Sequence, residues 1–246
     1  MSAVLVIAGT DPGGGAGLAR DLRTLARLGV GALCAVTAVT AQSDTEVSAL
    51  HPVPPQLVAA QINAALATGR VRAIKIGMLG TRDTVLAVAA SLPGRATLPL
   101  VLDPVLAASS GGALLDGAGR AALLEALLPR ATVITPNIPE TAALLGLPGA
   151  RSEDELLHQG QALLALGPKA VLLKGGHGGG AESTDWLLTE AQPPRRLAAP
   201  RTAATRRGTG CALASAIAAG FARGLDVADA CVLAKRHVSE LLQQGD

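Results

Sequence analysis

Aromatic residues are almost missing from this 246-residue chain: there is one Trp (Trp186), one Phe (Phe221) and no Tyr. A flat heterocyclic ligand would therefore have to lie on aliphatic side chains, peptide planes or methionine instead of a stacking ring. Cysteine is sparse as well. Cys34, Cys211 and Cys231 have no close spacing, which excludes a disulfide framework and a cysteine zinc site. Charged residues make up 16% with a formal net of +2, and the arginines are scattered, so nucleic acid is not an expected partner. No apolar run approaches the roughly 18 residues of a membrane helix. The opening segment MSAVLVIAGTDPGGG has no basic region and runs from a short apolar stretch into glycines. It reads as a first strand and not a signal peptide, with the cytoplasm as the expected compartment.

What remains is rich in Ala, Leu and Gly, with 49% hydrophobic residues, enough for a full α/β core at this length. Short apolar runs at 3–8, 32–36, 73–76, 99–102, 132–134 and 171–173 alternate with helical patterns at 16–28, 54–67, 84–92, 117–128 and 153–166. Continuous apolar strands separated by amphipathic helices predict a mostly parallel sheet covered on both faces, a three-layer α/β/α sandwich. Runs at 186–188 and 195–198 predict a late antiparallel hairpin, and helices over 209–223 and 227–243 close the chain. No internal repeat or long linker divides it, so residues 1–246 read as one domain.

In such folds ligands gather beyond the carboxyl ends of the strands. Six consecutive strand ends carry turn-forming or functional residues there: Thr10 to Gly17, Ala41-Gln42-Ser43, Gly77-Met78-Leu79, Asp103-Pro104-Val105, Thr135-Pro136-Asn137 and Lys174-Gly175-Gly176-His177. Gly208-Thr209-Gly210-Cys211 is the most informative segment, because two glycines before a small-residue helix let N–H groups converge on an anion. Cys211 then falls in the first helical turn, where the helix field favours a thiolate. The bland alternative is a tight loop with a buried small thiol. The loop Asp11 to Gly17 is neither a Walker A loop, since no Gly-Lys-Ser/Thr follows, nor a dinucleotide fingerprint, since Leu18 takes the place of the last glycine. It leaves room for close approach of a small substrate, with Asp21 one turn on as a hydroxyl partner or a solvated acid. A second glycine run, 176–181, has dinucleotide spacing but leads into a strand and not the helix that fingerprint needs.

Asn137 and Glu140 form a capping-box pattern, and Glu140 is also placed to orient water on Mg2+. Asp103 reads as a loop cap or as a group near metal and phosphate. Lys174 either snorkels to solvent or meets nucleotide phosphate. The Gln42 amide offers a heterocycle one donor side and one acceptor side, or simply holds its loop. His51, His158 and His237 read as surface residues, and Cys34 and Cys231 as core.

Taken in order, these segments resemble the hydroxymethylpyrimidine/phosphomethylpyrimidine kinase family of thiamine biosynthesis, within the ribokinase-like superfamily. The resemblance covers nearly the whole chain through seven motifs: Ala8 to Gly17, Val39-Thr40-Ala41-Gln42, Lys75 to Leu79, Asp103-Pro104-Val105, Thr135 to Glu140, Lys174 to His177, and Gly208 to Cys211. It implies a ribokinase-like fold and two ATP-dependent steps, phosphorylating the pyrimidine alcohol and then the monophosphate. By motif, Gln42 would bond the aminopyrimidine, Asp21 would lie near its hydroxymethyl end, and Gly9, Met78 and Val105 would flank the ring. Gly208, Thr209 and Gly210 would form the anion hole beside Cys211. Lys174, Asp103, Asn137 and Thr209 would serve ATP, and Glu140 and Asp103 the Mg2+ ion. A homodimer is what the resemblance suggests, and no membrane is involved.

Related sugar and pyridoxal kinases that resemble the chain carry Asp where Cys211 stands, as a base for the acceptor hydroxyl. A thiol suits an acceptor that is sometimes already an anionic phosphate. Departures from the family pattern fall at Ala19-Arg20, at Ser43-Asp44 after Gln42, and at Arg207, where His is common. They touch the substrate side more than the phosphate side. The alternatives are a pyridoxal-type or other vitamin kinase, which Cys211 and Gln42 count against, and a domain that senses the pyrimidine without catalysis. A thiol hydrolase built on Cys211 lacks a His–acid pair nearby in the sequence.

Overall fold

The first strand, β1 (Ala3–Ala8), carries no polar side chain, and all six of its residues are buried. Leu5 and Ile7 enter one apolar cluster, while Val4, Val6 and Ala8 enter another. A strand dry on both faces belongs at the centre of a sheet that is covered on both sides. The computed structural model bears this out, and it describes all residues except 1, 44, 95–96, 109–111, 176–180, 203, 205 and 245–246.

Among the described residues β1 is followed by α1 (Gly17–Arg27), β2 (Gly31–Val36), β3 (Ala38–Gln42), β4 (Val47–Pro52), α2 (Pro55–Ala67) and β5 (Val71–Ile76). Next come α3 (Arg82–Ser91), β6 (Leu100–Leu102), α4 (Gly117–Ala122), β7 (Val133–Ile134), α5 (Ile138–Leu145), α6 (Glu153–Leu164) and β8 (Ala170–Leu173). The chain closes with β9 (Glu182–Thr189), β10 (Gln192–Pro200), α7 (Thr209–Ala222) and α8 (Val227–Gln244). Eight strands form one sheet in the order β10-β9-β8-β7-β6-β5-β1-β2. The six from β8 to β2 are parallel, and β9 and β10 are antiparallel additions at one edge. Helices α2, α3 and α6 cover one face through Val58, Ile62, Val85, Val88, Leu156 and Leu163. Helices α1, α7 and α8 cover the other.

The strands and helices expected from the apolar periodicity are present, most with ends shifted by one or two residues, while the hairpin strands β9 and β10 start four and three residues earlier than expected. Three features differ. The helix expected over 117–128 is α-helical only to Ala122, then widens into a π turn at Leu123–Leu127 and tightens into a 3-10 turn at Leu128–Arg130. Pro129 in that last turn has no N–H to continue the ladder. Residues 38–52, to which the periodicity assigns no element, form the separate β3–β4 ribbon. Its burial alternates, with Ala38 and Thr40 buried and Val39 and Ala41 exposed, so it lacks the continuous apolar run that marks the other strands. The capping-box segment Asn137 to Glu140 opens α5, a helix that the periodicity does not mark. No helix among the described residues is long and apolar enough to cross a membrane.

Leu102 is fully buried in β6. Leu102→Ala should cost about 2–5 kcal/mol in unfolding free energy, measured as a lower urea midpoint with an unchanged slope. Val39→Ala, at an exposed ribbon position, should cost less than about 0.5 kcal/mol.

Candidate functional site

β1 is the point from which the chain leaves first toward β2 on one side and later toward β5 on the other. A crevice opens beyond the carboxyl ends of parallel strands where the direction of winding reverses. A cleft of about 750 Å3 lies there, and it runs from Gln42, Met78 and Val105 at one end to Val238, Ser239 and Leu242 of α8 at the other.

Its floor is built from two glycine loops that touch backbone to backbone. Gly208 precedes α7 with φ +73°, and a Cβ on it would lie 2.2 Å from the Gly15 carbonyl oxygen. Gly17 opens α1 with φ +55°, and a Cβ there would lie 2.6 Å from the Gly9 carbonyl oxygen. Neither position admits a side chain. No side chain caps α7, so the N–H groups of its first turn are left for another partner, and Thr209, Gly210 and Cys211 border the cleft.

Asp11 ties the first loop together. One carboxylate oxygen accepts from the Gly13 N–H at 3.0 Å, and the other from the Ala16 N–H at 2.8 Å and from Arg207 at 3.1 Å. Across the cleft, Lys174 donates to Asp103 at 3.0 Å and lies 3.5 Å from Glu140. Thr135 donates to the same Asp103 oxygen at 3.2 Å. A Cβ on Gly210 would stand 3.1 Å from Lys174 Nζ, so this ammonium is beside the α7 turn. The capping box is complete: the Glu140 N–H donates to the Asn137 side chain and the Asn137 N–H donates to the Glu140 carboxylate, both at 2.8 Å. Glu140 thus serves the helix cap and Lys174 together. Burial raises its carboxyl pKa, and the Lys174 charge opposes that rise.

At the other end Met78 forms a small apolar cluster with Ala38 and Leu114, against which Val105 packs. Gly9 is next to it, since a Cβ there would come within 2.9 Å of the Met78 sulfur. Gln42 ends β3 at the rim. The expected residues Gly9, Gln42, Met78, Val105, Asp103, Asn137, Glu140, Lys174 and Gly208 to Cys211 are therefore brought to one cleft. Gly176, His177 and Asp44 lie outside the described residues.

Asp21 is not among those brought together. It is fully buried beneath the floor, with one oxygen 2.7 Å from Lys75 Nζ and the other accepting from Ser215 at 2.8 Å. It is thus no solvated acid, and it does not border the cleft. Lys75, which periodicity alone did not single out, has no exposed surface and holds this carboxylate beside Cys211. A lysine inside the otherwise apolar end of β5 was the available signal. A second unforeseen network lies at the α8 end. Asp185 accepts from the Gly175 N–H at 3.0 Å and from Lys235 at 2.9 Å, and Lys235 also reaches Ser183.

Three further expectations are corrected. Cys211 is not a thiolate, because burial pushes its pKa up to about 11 even though the Lys75 charge pulls it down. His237 is buried on α8 at 5% exposure, and burial together with Arg27 lowers its pKa. Cys231 is core, whereas Cys34 is only partly buried.

A family model described as Phosphomethylpyrimidine kinase matches residues 11–246. The hydroxymethylpyrimidine/phosphomethylpyrimidine kinase of Escherichia coli (strain K12) is 44% identical over 243 residues, covering 98% of this chain and 91% of that protein. The crystal structure of phosphomethylpyrimidine kinase from Clostridium difficile 630 superposes with a TM-score of 0.85 at 33% identity, covering 99% of this chain and 100% of that one. The pyridoxal kinase from Staphylococcus aureus in complex with AMP-PCP and pyridoxal superposes at 0.88 with 29% identity, covering 100% and 90%.

Because Cys211 is a neutral thiol, its alkylation by iodoacetamide, followed peptide by peptide, should be slow at pH 8 and rise with a midpoint near pH 11. A midpoint at or below pH 8 would contradict this assignment. Removing the partner of a buried ammonium leaves its charge uncompensated, so Asp21→Leu should cost about 3–5 kcal/mol in chemical denaturation. Adding Lys75→Met to that variant should restore most of the loss.

Proposed function

This chain belongs to the phosphomethylpyrimidine kinase family, with the ribokinase-like α/β fold, and from that premise we propose how its cleft phosphorylates hydroxymethylpyrimidine and then phosphomethylpyrimidine in thiamine biosynthesis. The pyrimidine lies at the Met78 and Val105 end, where a thioether and a branched aliphatic side chain replace the missing aromatics. The Gln42 amide pairs with the ring's amino side. ATP enters from the opposite end, where Val238 and Leu242 offer its base an apolar wall. Its phosphates meet Lys174, Asn137 and Thr209 in between.

The observation that carries this reading is the uncapped first turn of α7, with the Lys174 ammonium beside Gly210. N–H groups fixed by two touching loops stabilise charge on a transferred phosphoryl without having to reorganise. The acceptor oxygen attacks the terminal phosphorus of ATP, the bond from that phosphorus to the bridging oxygen breaks and ADP leaves, and an alcohol's proton passes to an oxygen of the transferred phosphoryl as the ester forms. In a loose transition state this step asks mainly for positioning and neutralised charge. Cys211, a neutral thiol, offers a donor hydrogen at the turn and not a base. Asp21 acts through Lys75 to position the floor rather than on the hydroxymethyl group itself.

Among the described residues no cluster of three or more acidic, His or Cys side chains could hold a metal alone. Asp103 and Glu140 are two carboxylates facing one ammonium, a donor set that suits Mg2+ arriving with nucleotide phosphates. The ion would supply charge neutralisation there. The same reading has residues 1–246 working as one catalytic domain, in the cytoplasm, with two copies pairing as the family resemblance suggests.

The test is incubation of the purified protein with ATP, Mg2+ and hydroxymethylpyrimidine, with pyridoxal in parallel, and mass spectrometry of the products. Pyrimidine monophosphate followed by diphosphate is expected. Phosphorylation of pyridoxal alone would overturn the substrate assignment, and no product from either would favour a sensing role.

A further inference from the structure

The two acceptors of this kinase differ in charge. One is a neutral alcohol, and the other is already a phosphate monoester. In either step the oxygen that attacks must reach the same place beside the α7 turn. The other oxygens of the monoester then have to spread toward the walls on the acceptor side and find positive charge there. Besides Arg206 and Arg207, and Arg201 which donates to the Glu182 carbonyl, the cleft is bordered among the described residues by three lysines, of which Lys174 is on the donor side, shared by Asp103 and Glu140. Lys235 is at the α8 end with Asp185, and Lys75 is fully buried with Asp21.

Arg207 is placed differently. It immediately precedes Gly208, and its side chain lies against Gly15, so it spans both glycine loops. Its side chain is 18% exposed, while that of its partner Asp11 is only 1% exposed. Asp11 does not depend on Arg207, because the Gly13 and Ala16 N–H groups already serve both its oxygens. The guanidinium can leave without stranding a buried carboxylate, and a phosphate offers it a planar two-point match of higher charge.

We propose that Arg207 is the specificity-determining residue for the second phosphorylation, held on Asp11 when the acceptor is the alcohol and moved onto the phosphate when the acceptor is the monoester. Asp11 then acts as a parking place that masks the positive charge during the first step. The inference rests on the two-step pyrimidine kinase reading above. In the step it serves, the bond between the terminal phosphorus of ATP and its bridging oxygen breaks. A bond from that phosphorus to a monoester oxygen forms, giving the diphosphate and ADP.

Steady-state kinetics on both acceptors separately, with ATP and Mg2+, decides the matter for the unmodified protein, Arg207→Gln and Arg207→Lys. Loss of a charge-assisted contact should raise the KM for the monophosphate relative to that for the alcohol by roughly tenfold or more in Arg207→Gln. Arg207→Lys, which keeps the charge but not the fork, should fall between. A purely structural clasp would shift both KM values together, and that result, or an unchanged ratio, would overturn the proposal. Should the Gln variant prove insoluble, the Lys variant alone decides by the same ratio. An unmodified protein that phosphorylates neither acceptor would instead sink the kinase reading itself.

Discussion

The turn before α7 and the loop after β1 come from opposite ends of the chain, and they meet without any side chain between them. Gly208 backs onto the Gly15 carbonyl, and Gly17 backs onto Gly9. A single methyl group at either contact would overlap a backbone oxygen, and both residues also sit at positive φ, where other residues are strained. This double approach brings the first turn of α7 down to the end of β1. It sets where the N–H groups of that turn point, how deeply Cys211 is covered, and whether Arg207 reaches Asp11. A glycine in these loops is chosen for the space it leaves, which differs from the phosphate-wrapping use of a Walker loop.

Charge in the cleft follows one pattern. Lys75, Lys174, Lys235 and Arg207 each have a carboxylate within 3.1 Å. A lone buried ammonium is costly, and a paired one keeps its charge. Burial alone would lower the pKa of Lys75 and Lys174, yet their acids raise both. At Cys211 the Lys75 charge and the Gly17 N–H only partly offset burial. A helix N-terminus contributes about 0.3–1 kcal/mol toward a thiolate. The rise of its pKa from 9.0 to about 11 corresponds to roughly 2–3 kcal/mol the other way, so covering the thiol outweighs the helix field.

How much of this could be read from the chain depended on whether the signal was local. β1 and α7 were legible because an unbroken apolar run and a small-residue helix each declare themselves within a dozen residues. The strand-end rule then gathered Gln42, Asp103, Glu140 and Lys174 at one edge before any coordinates. The β3–β4 ribbon was not legible, since its burial comes from packing near Met78 and not from its own pattern. Asp21 looked like a site residue because helical periodicity gives its direction but not its depth. Its true partners, Lys75 and Ser215, come from a strand and a helix far along the chain. The abundance of alanine also has a use that composition alone concealed. Residues 212–221 of α7 are all buried, and Gly220 packs so closely on Ala230 that larger residues would separate the helices.

The scarcity of aromatics leaves the molecule with one indole. Trp186 lies in β9 next to Asp185, and its ring N–H donates to Glu153 of α6 at 3.3 Å. Asp185 is the acid that holds Lys235 and the Gly175 N–H at the α8 end of the cleft. Intrinsic fluorescence of this protein therefore has a single source, one residue along β9 from that network. The chain carries a built-in optical probe on the α6 face of β9, while no aromatic side chain among the described residues borders the cleft itself. Ultraviolet absorbance of a bound pyrimidine can accordingly be followed with little protein background.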